Sequence, residues 1–246
     1  RLEGVTPGQS VSRDNGATWS LPEAMTYGPG LRALKTPRAC PKLFVTSEGK
    51  YLFWFHNHGG KLWSGRNPAF LAGGLLKADG YIHWSEPEIV LFDPSPAIRM
   101  SYPDLIEQAG QFWLTETQKS VARIHALDRA LLDGLWSQAS ATNVCQKGLL
   151  FEKALAGDAP ANPAVPKEFG DLSHGGLTVE LWAKLDSVAP GQTLFSTQEP
   201  GGRGVRVVTS ELGGQPTLEI ELSDGARGVS WHTDPGVIGA GKAHHV

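Results

Sequence analysis

Asp14-Asn15-Gly16-Ala17-Thr18-Trp19-Ser20-Leu21-Pro22-Glu23 returns in outline 65 positions later as Asp79-Gly80-Tyr81-Ile82-His83-Trp84-Ser85-Glu86-Pro87-Glu88. Both stretches end in Trp-Ser-x-Pro-Glu, and a fainter copy follows at Asp133-Gly134-Leu135-Trp136-Ser137. A second unit repeats between them with a displacement of 61. In it Arg38-x-x-Pro41-x-Leu43 runs through Glu48-Gly49 to the apolar Tyr51–Phe55. Arg99 likewise runs through Pro103-x-Leu105 and Ala109-Gly110 to Phe112-Trp113-Leu114. Each of these reads as two strands about a Gly-containing tight turn, so hairpins are predicted over 41–56 and 102–117. A further strand is predicted near Pro68–Ala72, or Val121–Leu127 in the later copy, then the Asp/Gly/Trp turn and a last strand such as Glu88–Phe92.

Four short antiparallel strands every 50–65 residues describe a propeller blade, which buries its faces only against neighbouring blades. The segment holds roughly two and a half blades, and the chain reads as a fragment of a longer polypeptide, with most of the ring upstream of Arg1. Composition agrees with an all-β fold: 30 Gly, 17 Pro and 8 Trp in 246 residues favour many short strands and turns. A net charge of −3 gives no footprint for nucleic acid. No apolar run approaches the roughly 20 residues of a membrane span. Cys40 and Cys145 match no metal or redox spacing. They read as buried thiols, with a disulfide as the alternative, and no metal or cofactor is expected.

Ser12-Arg13-Asp14-Asn15-Gly16-Ala17-Thr18-Trp19 resembles in full the S-x-D-x-G-x-T-W Asp-box of sialidases and related six-bladed propellers. The Asp and Ser side chains of such a box tie down turn N–H groups, Gly takes a positive φ and Trp fills the blade core. The box is scaffold, so the resemblance implies a propeller first and an activity second. After the Pro/Ala-rich stretch 157–166, Leu177–Leu185 alternates apolar and polar residues as a half-buried strand does. Thr193–Ser196, Gly204–Thr209, Thr217–Leu222 and Gly228–His232 follow as short strands. With Gly241-Lys-Ala-His-His-Val246 they resemble a laminin-G-like or concanavalin-A-like jelly roll, cut short, with Ala243 where Trp is usual. The implied domains are 1–146, sialidase-like blades, and 147–246, the β-sandwich jelly roll.

The resemblance also implies a site. In sialidases a tyrosine opening a late hairpin is the nucleophile, activated by a glutamate. Tyr102-Pro-Asp-Leu105…Gly110…Thr115-Glu116 is similar in spacing and type. A neutral phenol is a weak nucleophile until a base takes its proton. A two-residue turn at Ala109-Gly110 sets position 102 opposite 117, and a three-residue loop sets it opposite 116. Glu116 is therefore the candidate partner of Tyr102. Guanidinium forks match a substrate carboxylate, and Arg38, Arg99 and Arg66 are the candidate binding arginines. Arg123, at the start of the equivalent third strand, reads rather as an ion-pair residue. Where the family places a glutamate and an arginine, this chain has Cys40 and His56-Asn57-His58. His56 becomes a candidate base and His58 a candidate binding group, as a polysaccharide lyase acting beside a uronate would use them. Two histidines at i, i+2 do not complete a metal site.

Three functions follow as expectations. The first is an exo-acting glycoside hydrolase of the sialidase type on acidic glycans. The second is a lyase on uronate-containing glycans. The third is a non-catalytic carbohydrate-binding propeller. In each the partner is a glycan, and the resemblance implies secretion or a periplasmic or cell-surface location.

Overall fold

A computed structural model of the chain describes residues 6–36, 41–56, 66–95, 97–140 and 179–246. Strands dominate, and the fold is all-β in class, with one α-helix of nine residues among the described residues. None of their helices is long and apolar enough to cross a membrane. The chain divides into two compact units, Arg1–Leu150 and Phe151–Val246. The sequence boundary after residue 146, the stretch 157–166, residues 177–178 and both cysteines lie outside the described residues.

In the first unit, β1 (Gly8–Gln9) pairs with β2 (Glu23–Ala24). β3 (Lys42–Val45), β4 (Tyr51–Phe55) and β5 (Ala69–Leu76) form an antiparallel sheet. β6 (Ile82–Trp84) and β7 (Glu88–Leu91) both pair with β5. β8 (Ser101–Gln108), β9 (Gln111–Gln118) and β10 (Val121–Leu127) make a second sheet, and α1 (Arg129–Ser137) follows it. Both predicted hairpins are present, Val45 facing Tyr51 and Gln108 facing Gln111. Ala109 and Gly110 take φ of 51° and 78°, as a two-residue turn matched to strand twist requires.

The apolar run of β4 is buried on both faces. Leu52 and Trp54 join Leu71, Phe112, Leu114, Leu132 and Leu135 in one core, while Phe53 and Phe55 join Met25, Tyr27, Leu34 and Trp84 in another. A strand covered on both sides reads as continuous hydrophobicity, not alternation.

The Trp-Ser-x-Pro-Glu motif has a backbone role that its repetition reproduces. Ser85 N donates to Gly73 O at 2.7 Å, and Ser85 Oγ accepts from Gly73 N at 2.9 Å. Ser20 makes the same reciprocal pair with Val11, both bonds at 2.9 Å. The hydroxyl satisfies the N–H left over where pairing passes from β6 to β7, and Pro87, without an N–H, sits in that break. The Asp-box turn closes through Asp14, whose carboxylate accepts from Thr18 N at 2.9 Å and Thr18 Oγ1 at 2.5 Å. Ser12 Oγ accepts from Gly16 N at 2.7 Å, and Gly16 has φ 88°.

Two expectations are corrected. Trp19 does not fill a core: it is 64% exposed, whereas Trp84 is buried against Phe53. Sheet β1–β2 has no described counterpart of β3 and β4 on which Trp19 could lie. The copy at Asp133–Ser137 is helix, not turn. Leu132, Leu135 and Trp136 repeat at i, i+3, i+4 and bury one face. Asp128 caps the helix through Ala130 N at 2.8 Å. The helix docks where β5 carries no side chain, since a Cβ on Gly73 would meet Leu135 Cβ at 2.8 Å. Trp136 donates Nε1–H to Tyr51 O at 2.9 Å, with Lys50 Nζ 4.5 Å and Arg129 Cζ 5.6 Å from its ring.

In the second unit β11 (Trp182–Lys184) pairs with β16 (Ala243–His245), while β12 (Thr193–Ser196), β13 (Gly204–Leu212), β14 (Gln215–Ser223) and β15 (Gly228–His232) form a four-stranded antiparallel sheet. Gly213 and Gly214, at φ 61° and 77°, turn the long central hairpin. Val207, Leu218 and Ile238 are its buried core.

Replacing Trp136 with Ala should cost about 3–5 kcal/mol, read as a fall in the denaturant midpoint of the first unit. Hydrogen bonds from Thr18 and then Ser12 hold the Asp14 carboxyl at about 2, below its ordinary 3.8. A carboxyl lowered on folding stabilises fully above its unfolded value and loses that contribution as pH falls toward 2. Acid titration of unfolding should therefore be flatter over that window in Asp14→Asn than in the parent.

Candidate functional site

β4 ends, β5 begins, β8 begins, β9 ends and β10 begins at one shared end of the first unit. Met100 N donates to Arg66 O at 2.9 Å, and Arg66 Nη1 donates to Ser101 Oγ at 2.7 Å, joining the two sheets there. The connection between β7 and β8, described at 92–95 and 97–100, is held from both sides. Asn67 Nδ2 donates to Asp93 O at 2.6 Å, and its Oδ1 accepts from Asp93 N at 3.1 Å. Gln118 accepts from Arg99 N at 2.9 Å and donates to Ala97 O at 3.1 Å. Arg123 Nη2 donates to Arg99 O at 3.3 Å.

Arg99 is thus fixed at both backbone polar groups. Its guanidinium is exposed and has no partner among the described residues. Tyr102 stands beside Arg66, whose Cζ lies 5.8 Å from the ring centroid. Ser101 pairs with Thr117 and Asp104 with Thr115, so Tyr102 and Pro103 together oppose Glu116 in a bulge. The expected 102–117 pairing is displaced by one residue for that reason. Bulges re-aim side chains, and Tyr102, at φ 51°, is 64% exposed.

Glu116 lies elsewhere. Its side chain is 0% exposed and continues the inward parity of Phe112 and Leu114. Arg123, its cross-strand neighbour, donates through Nε to Oε1 and through Nη2 to Oε2 at 3.2 Å, and His125 Nε2 lies 3.4 Å from Oε1. The adjacent carboxylate raises the Arg123 guanidinium above its ordinary value. Among the described residues nothing joins Glu116 to Tyr102. His56 is 1% exposed, packs edge-on against Trp54 at 4.7 Å, and donates Nδ1–H to Pro68 O at 3.1 Å. Of the predicted set, Arg66, Arg99 and Tyr102 share the surface of this end, Glu116 and His56 lie beneath it, and Arg38 and His58 are outside the described residues.

Sequence reasoning passed over Asn67, Ser101, Gln118 and His125. The inward parity of β9, extended across to β10, is the signal that finds the Glu116–Arg123–His125 cluster. No group of three His, Cys, Asp or Glu among the described residues could hold a metal ion. Comparison with protein-family models, curated proteins and solved structures finds no match.

Arg123→Met should strand the Glu116 charge. A buried carboxylate without its cation costs about 3 kcal/mol or more. Urea denaturation should show this loss, and Arg123→Lys should recover part of it.

Proposed function

We propose that the chain belongs to a secreted, sialidase-like protein that hydrolyses acidic glycans in an exo manner. The first unit is read as two and a half blades of a six-bladed propeller, and the second as a laminin-G-like jelly roll. Side-by-side first strands support the propeller reading. Lys42 Nζ lies 3.3 Å from Asp104 Oδ1, and Ser47 N donates to Glu107 at 2.8 Å. In a propeller the first strand of each blade lines the axis beside the next.

The observation that carries the functional reading is Arg99, anchored by its own backbone while its guanidinium stays exposed, with Arg66 and Tyr102 at the same end of the sheets. Such forks recognise carboxylates bidentately. As the exposed Tyr102 phenol at this end attacks the anomeric carbon, the glycosidic C–O bond breaks and the phenol proton passes through solvent to the departing oxygen. Water then cleaves the tyrosyl–sugar bond, giving one proton back to the phenolate. Glu116 serves this site by holding Arg123, not by taking the phenol proton. The burial of His56 gives the lyase alternative less support than the hydrolase reading. Acidic-glycan binding without turnover is the second reading, favoured because no carboxylate among the described residues contacts Tyr102.

Steady-state kinetics separate the two. Under hydrolysis, Tyr102→Phe lowers kcat by about 100-fold or more with little change in KM, since only transition-state stabilisation is lost. Arg99→Ala raises KM about tenfold for an acidic sugar and little for its neutral analogue. Under binding alone, no product forms and Arg99→Ala weakens retention while Tyr102→Phe does not. Full activity in Tyr102→Phe contradicts the hydrolase reading.

A further inference from the structure

Five asparagines occur in the chain, and Asn15 alone is followed by glycine; Asn67 and Asn162 precede proline, which has no N–H. An asparagine before glycine is chemically labile. The next backbone nitrogen can attack the side-chain amide carbon, and glycine has no Cβ to obstruct it. Asn15 and Gly16, at φ 56° and 88°, are the centre of the Asp-box turn, and the Asn15 side chain lies in an exposed residue.

Attack requires Gly16 N to lose its proton and swing toward Asn15 Cγ. The folded turn opposes both. Gly16 N donates to Ser12 Oγ at 2.7 Å. Ser12 Oγ in turn donates to Asp14 Oδ1 at 2.8 Å, so its proton points to the carboxylate and its lone pair is left for Gly16 N. Thr18 N and Thr18 Oγ1 hold that carboxylate at 2.9 and 2.5 Å. On the carbonyl side, Trp19 Nε1 donates to Gly16 O at 3.1 Å. Both backbone polar groups of Gly16 are thereby held. This contact gives Trp19, which fills no core, a role in the turn.

We propose that Asn15 is a site of spontaneous deamidation whose rate is set by the Ser12–Gly16 hydrogen bond. When the turn opens, Gly16 N gives its proton to solvent base and forms a bond to Asn15 Cγ. The Cγ–Nδ2 bond breaks, and ammonia leaves with a proton taken from solvent, closing a succinimide ring. Water then opens the ring at either carbonyl, giving aspartate at position 15 or isoaspartate, whose backbone runs through the former side chain. The first product sets a second carboxylate beside Asp14. The second adds a methylene to the backbone between positions 15 and 16, so the Ser12–Gly16 and Asp14–Thr18 bonds no longer fit one turn. The box therefore guards its own chemistry as well as shaping the chain between β1 and β2.

Trypsin releases residues 14–32 as one peptide, in which Asn15 is the sole asparagine and glutamine is absent. Mass spectrometry of that peptide, after incubation of the whole chain in mild alkali, follows the exchange of NH2 for OH. Conversion should be about tenfold or more slower in the native chain than in guanidinium chloride, since attack waits for the turn to open. Under native conditions Ser12→Ala should speed it about fivefold or more, and Ser12→Thr, which keeps the hydroxyl, should stay near the parent. Should Ser12→Ala not fold, hydrogen exchange of the Gly16 amide in the parent decides, with protection of about tenfold or more over the unfolded chain expected. No conversion in the unfolded chain, equal rates in native and unfolded chains, an unchanged rate in folded Ser12→Ala, or an unprotected Gly16 amide would overturn the proposal.

Discussion

The first unit depends on how one connection meets its hydrogen-bonding needs. It leads from one sheet to the next and is described at 92–95 and 97–100, where the backbone groups of Asp93, Ala97, Arg99 and Met100 are taken up by Asn67, Gln118, Arg123 and the Arg66 carbonyl. Backbone groups at such a junction must be paired. Arg123 can serve there only because the buried Glu116 carboxylate neutralises and orients it. The ion pair is therefore less a source of stability than a positioning device, consistent with the near balance of Coulomb gain and desolvation for buried charges. Its consequence lies at the surface: the same bonds that close the junction leave the Arg99 side chain facing outward.

The repeated motifs answer a related need at the other edge of the sheet. Where β6 gives way to β7, Ser85 replaces a missing ladder bond, and Ser20 does the same against Val11. The agreement of two reciprocal bonds, not only of two sequences, marks 8–24 and 70–89 as versions of one structural unit. The third copy departs because helix α1 covers β5 at Gly73. There the side chains of Leu135 and Trp136 supply the cover that a further strand would otherwise give.

Much of this was legible in the sequence. Ala109-Gly110 and Glu48-Gly49 announced their hairpins, and the unbroken apolar run of β4 announced a strand buried on both faces. Asp133-Gly134-Leu135-Trp136 misled because its residues match a turn motif, while the 3.6-residue spacing of Leu132, Leu135 and Trp136 pointed to helix. For the candidate residues, nearness along the strands was legible and the facing of their side chains was not. Arg66, Arg99 and Tyr102 lie at one end of the sheets. The bulge after Ser101, invisible to spacing, turned Tyr102 outward and left Glu116 to Arg123. His56 follows the inward parity of Leu52 and Trp54, a signal that outranked its place at a strand end.

The central claim is that this end of the sheets recognises a sugar by its carboxylate. The most direct measurement compares the affinity of the whole chain for an acidic sugar and for the same sugar with its carboxyl reduced to an alcohol, at low and high salt. The claim predicts that the acid binds about tenfold or more tightly at low salt and that the advantage shrinks as salt screens the guanidinium groups. Equal affinity for the two sugars at low salt would contradict it.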